Sequence, residues 1–245
     1  MLAMFQYEFL QNAFLSGLII GVIAPLLGVF IVVRKLSLIA DALSHVTLTG
    51  IAASLLLSKE FPGTFANLNP LYLGMGFSVG GSLFIERLRN VYKHYQELAI
   101  PIILSGGVGL GAIFISMANG FNVDLFSYLF GSVSAVGRTD LWVISIISVI
   151  VVFTVIFLYK ELFLLSFDEE HAKTSGIPAK AIHFIFIVLV ALVIAISMRI
   201  VGVLLVSALM TLPVTAALKV AKSFKQTIFM SILFGEIAVV GGLFT

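Results

Sequence analysis

Asp41 and His45 are the residues of this chain whose types and spacing best suit the binding of a metal ion. They lie four residues apart, about one helical turn, so both side chains project from the same face of a helix. Carboxylate oxygen and imidazole nitrogen are both ligands of transition-metal cations. The surrounding residues are largely apolar, and ionisable groups at membrane depth usually have a function. The pair therefore predicts a site for a divalent transition metal ion.

Other interpretations of the two residues stay open at this point. His45 could be an interior histidine that is hydrogen-bonded to a neighbouring helix. Asp41 follows Arg34 and Lys35 closely in the sequence, and an ion pair between Arg34 and Asp41 near the membrane surface would explain it. Two ligands also fall short of the four that zinc usually takes. Metal binding thus further predicts a symmetric homodimer, with two Asp41 and two His45 side chains meeting at its axis.

The composition predicts an all-α, polytopic integral membrane protein. Of its 245 residues, 60% are hydrophobic and 11% are charged, and the mean hydropathy is +1.18. A soluble domain typically has about 25% charged residues, and it could not hide so much apolar surface. Charges occur in short clusters between apolar runs, so we expect one transmembrane domain over residues 1–245. The chain has no cysteine, which excludes thiolate metal sites.

We expect eight membrane-spanning helices, because a span needs roughly 20 apolar residues. They lie at about residues 9–33, 40–58, 68–85, 98–117, 141–159, 181–198, 200–218 and 226–245. Of the 14 Lys and Arg residues, all but Lys59, Arg138 and Arg199 lie in the odd-numbered connections. The positive-inside rule then places these connections in the cytoplasm and both termini outside. Since no polar tail follows the last apolar run, we also expect that the final helix is truncated.

The segment from Ser166 to Pro178 predicts a short cytoplasmic helix of about two turns. Ser166 followed by Glu169 fits a capping box, and acidic residues at the helix start are favoured by the macrodipole. Gly176 and Pro178 are typical of a helix end. The segment is either a capped surface helix or a helix that docks into a partner ATPase.

The glycine-rich run from Ser105 to Gly111 is not a nucleotide-binding loop, because no Lys-Ser or Lys-Thr follows it. Gly107 and Gly111 instead have the spacing of residues that let membrane helices approach closely. The energy for any active transport must therefore come from another subunit or from an ion gradient. Glu236, in the middle of the eighth predicted span, is either part of a polar path or a helix–helix hydrogen-bonding group.

The chain resembles the membrane permease family of the bacterial zinc/manganese/iron ABC importers, and most closely the zinc permeases of Gram-positive bacteria. The resemblance covers essentially the whole chain in order. Four segments carry it: Ile23 to Val46, Asp124 to Ser132, Phe167 to Pro178 and Arg199 to Leu209.

The resemblance implies a permease subunit in the bacterial cytoplasmic membrane that is not itself an enzyme. It implies a second copy of the chain, two cytoplasmic ATP-binding subunits and an extracytoplasmic metal-binding protein, with no nucleic-acid partner. The cargo is a zinc ion first, manganese next or iron, and no cofactor is permanently bound. The implied metal path contains Asp41 and His45, and the implied ATPase-docking residues are Asp168, Glu169, Glu170, His171, Ala172 and Gly176. The alternative is a secondary transporter coupled to protons or ions through Asp41, Glu97 and Glu236, for which inverted repeats are expected.

Overall fold

The computed structural model describes residues 7–61, 69–92, 94–118, 123–132 and 136–244, and no strand occurs in these ranges. Eleven α-helices occur in them. They are α1 (Glu8–Val33), α2 (Leu38–Glu60), α3 (Pro70–Val91), α4 (Ala99–Met117), α5 (Val123–Phe130), α6 (Arg138–Phe157), α7 (Tyr159–Phe167), α8 (Glu169–Thr174), α9 (Ala179–Val201), α10 (Val203–Val220) and α11 (Phe224–Phe244).

Each predicted span corresponds to one of the eight long helices, which confirms the all-α polytopic membrane fold. In the described part of the chain, seven helices are long and apolar enough to cross a bilayer. The eighth, α3, is not among them, because Glu86, Arg87 and Arg89 lie in its last turns and lower its mean hydropathy. Residues 68 and 245, where two predicted spans begin and end, lie outside the described residues.

Contacts between helix ends agree with the predicted alternation of the spans. Three polar contacts join ends that are all predicted to be external: Arg138 to Glu8, Arg199 to Asp140, and Lys59 Nζ to the Met117 carbonyl oxygen at 3.1 Å. On the predicted cytoplasmic side, the end of α3 contacts the start of α9 through Glu86 and His183. Because α3 runs from one set of ends to the other, it crosses the molecule like the other long helices.

Helix α2 is held against α4 at two glycines. A Cβ atom on Gly107 would lie 2.9 Å from Val46 Cγ2, and one on Gly111 would lie 3.0 Å from Thr49 Oγ1. The Thr49 hydroxyl also donates a hydrogen bond of 2.7 Å to the Gly107 carbonyl oxygen. The predicted packing role of Gly107 and Gly111 is confirmed. This close approach fixes the helix that carries Asp41 and His45.

Candidate metal site and docking surface

Asp41 lies in the first turn of α2 and is half-buried. Its side chain borders a cavity of about 410 Å³ between α2 and α10. It makes no hydrogen bond or ion pair with the described residues. The guanidinium of Arg34 instead lies 5.8 Å from the ring centroid of Phe186. The structure therefore does not contain the Arg34–Asp41 ion pair that was the alternative explanation of Asp41.

His45 is also half-buried, one turn further along α2. It borders a second cavity, of about 420 Å³, whose lining includes Gly107, Gly111 and Ser116 of α4. Its ring makes no hydrogen bond with the described residues, so it is not the satisfied interior histidine of the alternative explanation. Within a single chain, the carboxylate and the imidazole thus share a helix but border different cavities.

The described part of one chain does not bring a third metal ligand to this pair. It contains no group of three His, Asp or Glu side chains that could hold a metal ion. Glu236 packs on α1, where a Cβ atom on Gly21 would lie 2.7 Å from Glu236 Oε1. This oxygen is buried and has no hydrogen-bond partner among the described residues. Glu236 borders neither the cavity at Asp41 nor the cavity at His45.

A second histidine–carboxylate pair, which sequence reasoning missed, lies near the predicted cytoplasmic side. His183 Nε2 is 3.0 Å from Glu86 Oε2, and the exposed fractions of the two side chains are 8% and 20%. Arg89 contacts the same imidazole nitrogen and lies 3.8 Å from the same carboxylate oxygen. The spacing of Glu86 and Arg89 on α3 hints at a local ion pair, but nothing in the sequence links either to residue 183.

Arg34 lies beside this cluster, between α1 and α2. Burial is the main cause that lowers the pKa of its guanidinium, and the positive charge of Arg89 adds to it, while Glu169 and Glu86 act in the opposite direction. Its Nη1 atom is buried without a hydrogen-bond partner in the described residues. Because α2 begins at Leu38, the cytoplasmic charges surround the turn that leads to Asp41.

The start of the predicted docking helix differs from the sequence prediction. Ser166 belongs to α7, where its hydroxyl donates to the Leu162 carbonyl oxygen at 2.6 Å. The cap of α8 is Asp168, whose Oδ1 accepts the backbone N–H of His171 at 2.8 Å. The predicted capping box at Ser166 is wrong, because α7 continues to Phe167 and the uncapped N–H groups begin after Asp168.

The end of α8 is as predicted. Gly176 has a φ of +80°, and the Ile177 N–H donates to the Ala172 carbonyl oxygen at 3.1 Å, which is a Schellman-type end. Five of the six expected docking residues are exposed: Asp168, Glu169, Glu170, His171 and Gly176. Ala172 is fully buried. It anchors α8 to the rest of the chain, so its expected contact with a partner is corrected to a supporting role.

An aromatic cluster lies directly before this acidic segment, and sequence reasoning did not find it. The ring centroid of Phe163 is 4.9 Å from that of Phe167 and 5.0 Å from that of Phe224. Phe224 is in turn 5.4 Å from Phe30 of α1. Phe167 is 61% exposed. The face formed by Phe167 and the acidic residues from Asp168 to Glu170 is called the docking face below.

With this geometry in view, similarity to known proteins identifies the family. The sequence profile of the ABC 3 transport family matches residues 6–245, and the chain belongs to this family. It is 32% identical over 240 residues (98% of this chain, 82% of the relative) to the manganese transport system membrane protein MntC of Listeria monocytogenes. It is 30% identical over 238 residues (97% of this chain, 88% of the relative) to the high-affinity zinc uptake system membrane protein ZnuB of Haemophilus influenzae.

The fold is also similar to a solved structure, PsaBC from Streptococcus pneumoniae in complex with Fab. The TM-score is 0.82 at 32% sequence identity, over 100% of this chain and 86% of that chain. These similarities confirm the family recognised from the sequence, the permease subunits of bacterial metal-ion ABC importers. Together with the candidate spans, they identify a multi-pass protein of the cytoplasmic membrane.

Proposed function

We propose that this chain is the permease subunit of an ABC importer that carries a divalent transition metal ion into the cytoplasm. The observation that carries this proposal is the state of Asp41 and His45, which border cavities and have no partner among the described residues. A carboxylate at membrane depth without a partner is costly. A passing cation offsets that cost.

Two copies of the chain would complete the metal site. One chain supplies one carboxylate and one imidazole, and a two-fold axis doubles both to four ligands. This set suits tetrahedral zinc, and oxygen and nitrogen ligands also accept manganese or iron. We place zinc first on the donor set. Manganese comes next, because the relatives named above include a manganese and a zinc transport protein.

ATP hydrolysis on two copies of a separate cytoplasmic subunit would drive the transport. The docking face offers that subunit an exposed ring, that of Phe167, and the negative charges of Asp168, Glu169 and Glu170. Arg34 lies between this face and the start of α2 and feels the charge of Glu169. A movement of the docking face therefore has a short route to Asp41. An extracytoplasmic binding protein would deliver the ion to the opposite side.

The test is metal uptake into liposomes that contain the chain, its ATP-binding subunit and its binding protein. We expect ATP-dependent entry of zinc, and more slowly of manganese, that is lost in His45→Ala. The matched control is His94→Ala, which removes an exposed histidine of a connection and should leave uptake unchanged. Entry of either ion without ATP would instead favour the secondary transporter.

The homodimeric site is tested by the amount of metal bound. Elemental analysis of the purified complex should find one ion per two chains, and Asp41→Ala should remove it. One ion per chain that persists when the complex is dissociated into single permeases would contradict the shared site, while leaving the transport function standing.

A further inference from the structure

Helix α10 presents a line of hydroxyl groups to the cavity that Asp41 borders. Ser207, Thr211 and Thr215 all line this cavity, and their spacing of four residues keeps them on one face of the helix. From Ser207 to Thr215 the line covers roughly 12 Å of helix axis at about 1.5 Å per residue. It runs from the middle of α10 towards the end that is predicted to be cytoplasmic.

The threonine hydroxyl protons point away from the cavity. Thr211 Oγ1 donates to the Ser207 carbonyl oxygen at 2.8 Å, and Thr215 Oγ1 donates to the Thr211 carbonyl oxygen at 2.7 Å. A hydroxyl has one proton and two lone pairs. Since the proton of each is bound within the helix, only lone pairs remain for whatever enters the cavity. Such a surface attracts cations and the protons of their bound water.

The rest of the cavity lining has the same character. Its only other polar residues among those described are Asp41 and Ser37, and no Lys or Arg is among the described lining residues. The cavity at His45 is different, because the described side chains that line it beyond the imidazole are apolar except for Ser116. One cavity is thus lined with oxygen atoms and a negative charge, and the other holds a nitrogen ligand among glycine and alkyl groups.

From this lining we infer that Ser207, Thr211 and Thr215 form the cytoplasmic half of the ion path, along which the partly hydrated cation leaves Asp41. The inference rests on the proposed function. Neutral oxygen atoms are weak ligands for a divalent ion that keeps part of its water. Several weak sites in a row allow an ion to leave, whereas one strong site would retain it.

The test is uptake by the double variant Thr211→Val/Thr215→Val, in the same liposomes and with zinc and manganese. Valine keeps the shape of threonine and removes the oxygen. We expect ATP-dependent uptake to fall about tenfold, the effect of losing one or two hydrogen bonds to a charged group. The metal content of the purified complex without ATP should not change, since Asp41 and His45 are intact. Thr211→Ser/Thr215→Ser restores both oxygens and should restore uptake.

Thr154→Val is the matched control. The Thr154 hydroxyl makes the same bond within its helix, 2.7 Å to the Ile150 carbonyl oxygen, but it is exposed on α6 and does not line the cavity. This variant should transport like the wild type. It separates the loss of an oxygen in the path from the loss of an intrahelical hydrogen bond.

The outcomes separate this inference from the proposed function. If the wild-type complex shows no ATP-dependent uptake, the proposed function itself fails. If the wild type transports and the double valine variant stays within twofold of Thr154→Val, the hydroxyl path is wrong. Failure of the serine variant to restore uptake would show a packing role and would equally overturn the path. If the double valine variant does not assemble, Ser207→Ala decides, with a loss of about threefold expected for one neutral contact.

Discussion

The molecule contains two carboxylate–imidazole pairs in opposite situations. Asp41 and His45 lie on one helix, half-buried and without partners among the described residues. Glu86 and His183 lie on different helices and contact each other, with Arg89 beside both. Each pair has one carboxylate and one imidazole, so residue type alone does not distinguish them. What distinguishes them is whether the fold satisfies them or leaves them for a ligand.

The difference has a physical reason. In the cluster of Glu86, Arg89 and His183, the chain itself supplies the opposite charge, so nothing has to be added from outside. At Asp41 and His45 the neighbouring side chains belong to glycines, alkyl groups and hydroxyls, which cannot neutralise a carboxylate. A buried paired group stabilises the fold it belongs to, and a group facing a cavity is available to a cargo.

The largest expected effect breaks the pair on α2. Asp41→Ala and His45→Ala should each reduce uptake below about 1% of the wild type, because the loss of a charged ligand exceeds about 3 kcal/mol and each 1.4 kcal/mol is tenfold. Thermal unfolding of the purified permease should hardly change, since neither side chain loses a partner. A variant that unfolds at a much lower temperature would show that the residue is structural.

The opposite pattern is expected at the other pair. Glu86→Ala or His183→Ala leaves a buried charged or polar group behind, which costs about 3 kcal/mol of stability. Thermal unfolding should shift strongly, while uptake per folded molecule is largely retained. The double variant should cost less than the sum of the single ones, because the two side chains interact. Full stability combined with lost uptake would mean that this cluster also lines the path.

The sequence predicted the fold and the first pair because both depend on local patterns. Apolar runs of the length of a span show the eight long helices, and a spacing of four residues places Asp41 and His45 on one face. The glycines at 107 and 111 show their packing role through spacing as well. None of these inferences requires knowing which helix is the neighbour of which.

The rest could not be predicted, because it depends on contacts between distant parts of the chain. Glu86 and His183 are 97 positions apart by residue number and meet only because α3 packs on α9. The separation of Asp41 and His45 into two cavities depends on α10 and α4, which no pattern in α2 reveals. The cap at Ser166 failed for a different reason: α7 extends further than its sequence suggests, so a local signal fell inside a helix.

A smaller effect tests the end of the docking helix. Gly176→Ala places a side chain at a φ of +80° with no neighbour within 4 Å of the new Cβ atom. The cost is then purely conformational, roughly 1 kcal/mol, or about fivefold in affinity for the ATP-binding subunit. Titration of that subunit onto the purified permease measures it. Gly109→Ala, at an equally open but helical position, should bind like the wild type.

The smallest effects separate the charge of the docking face from its helix cap. Asp168→Asn keeps an oxygen that can accept the His171 N–H but removes the charge, whereas Asp168→Ala removes both and costs about 1 kcal/mol of helix stability. Ser166→Ala should be nearly neutral, since that hydroxyl bonds within α7. If Asp168→Asn binds the ATP-binding subunit like the wild type, Asp168 acts through the shape of α8. If it binds like Asp168→Ala, the partner reads the carboxylate itself, and the docking face resembles Asp41 in leaving a charge for a ligand rather than Glu86 in satisfying it.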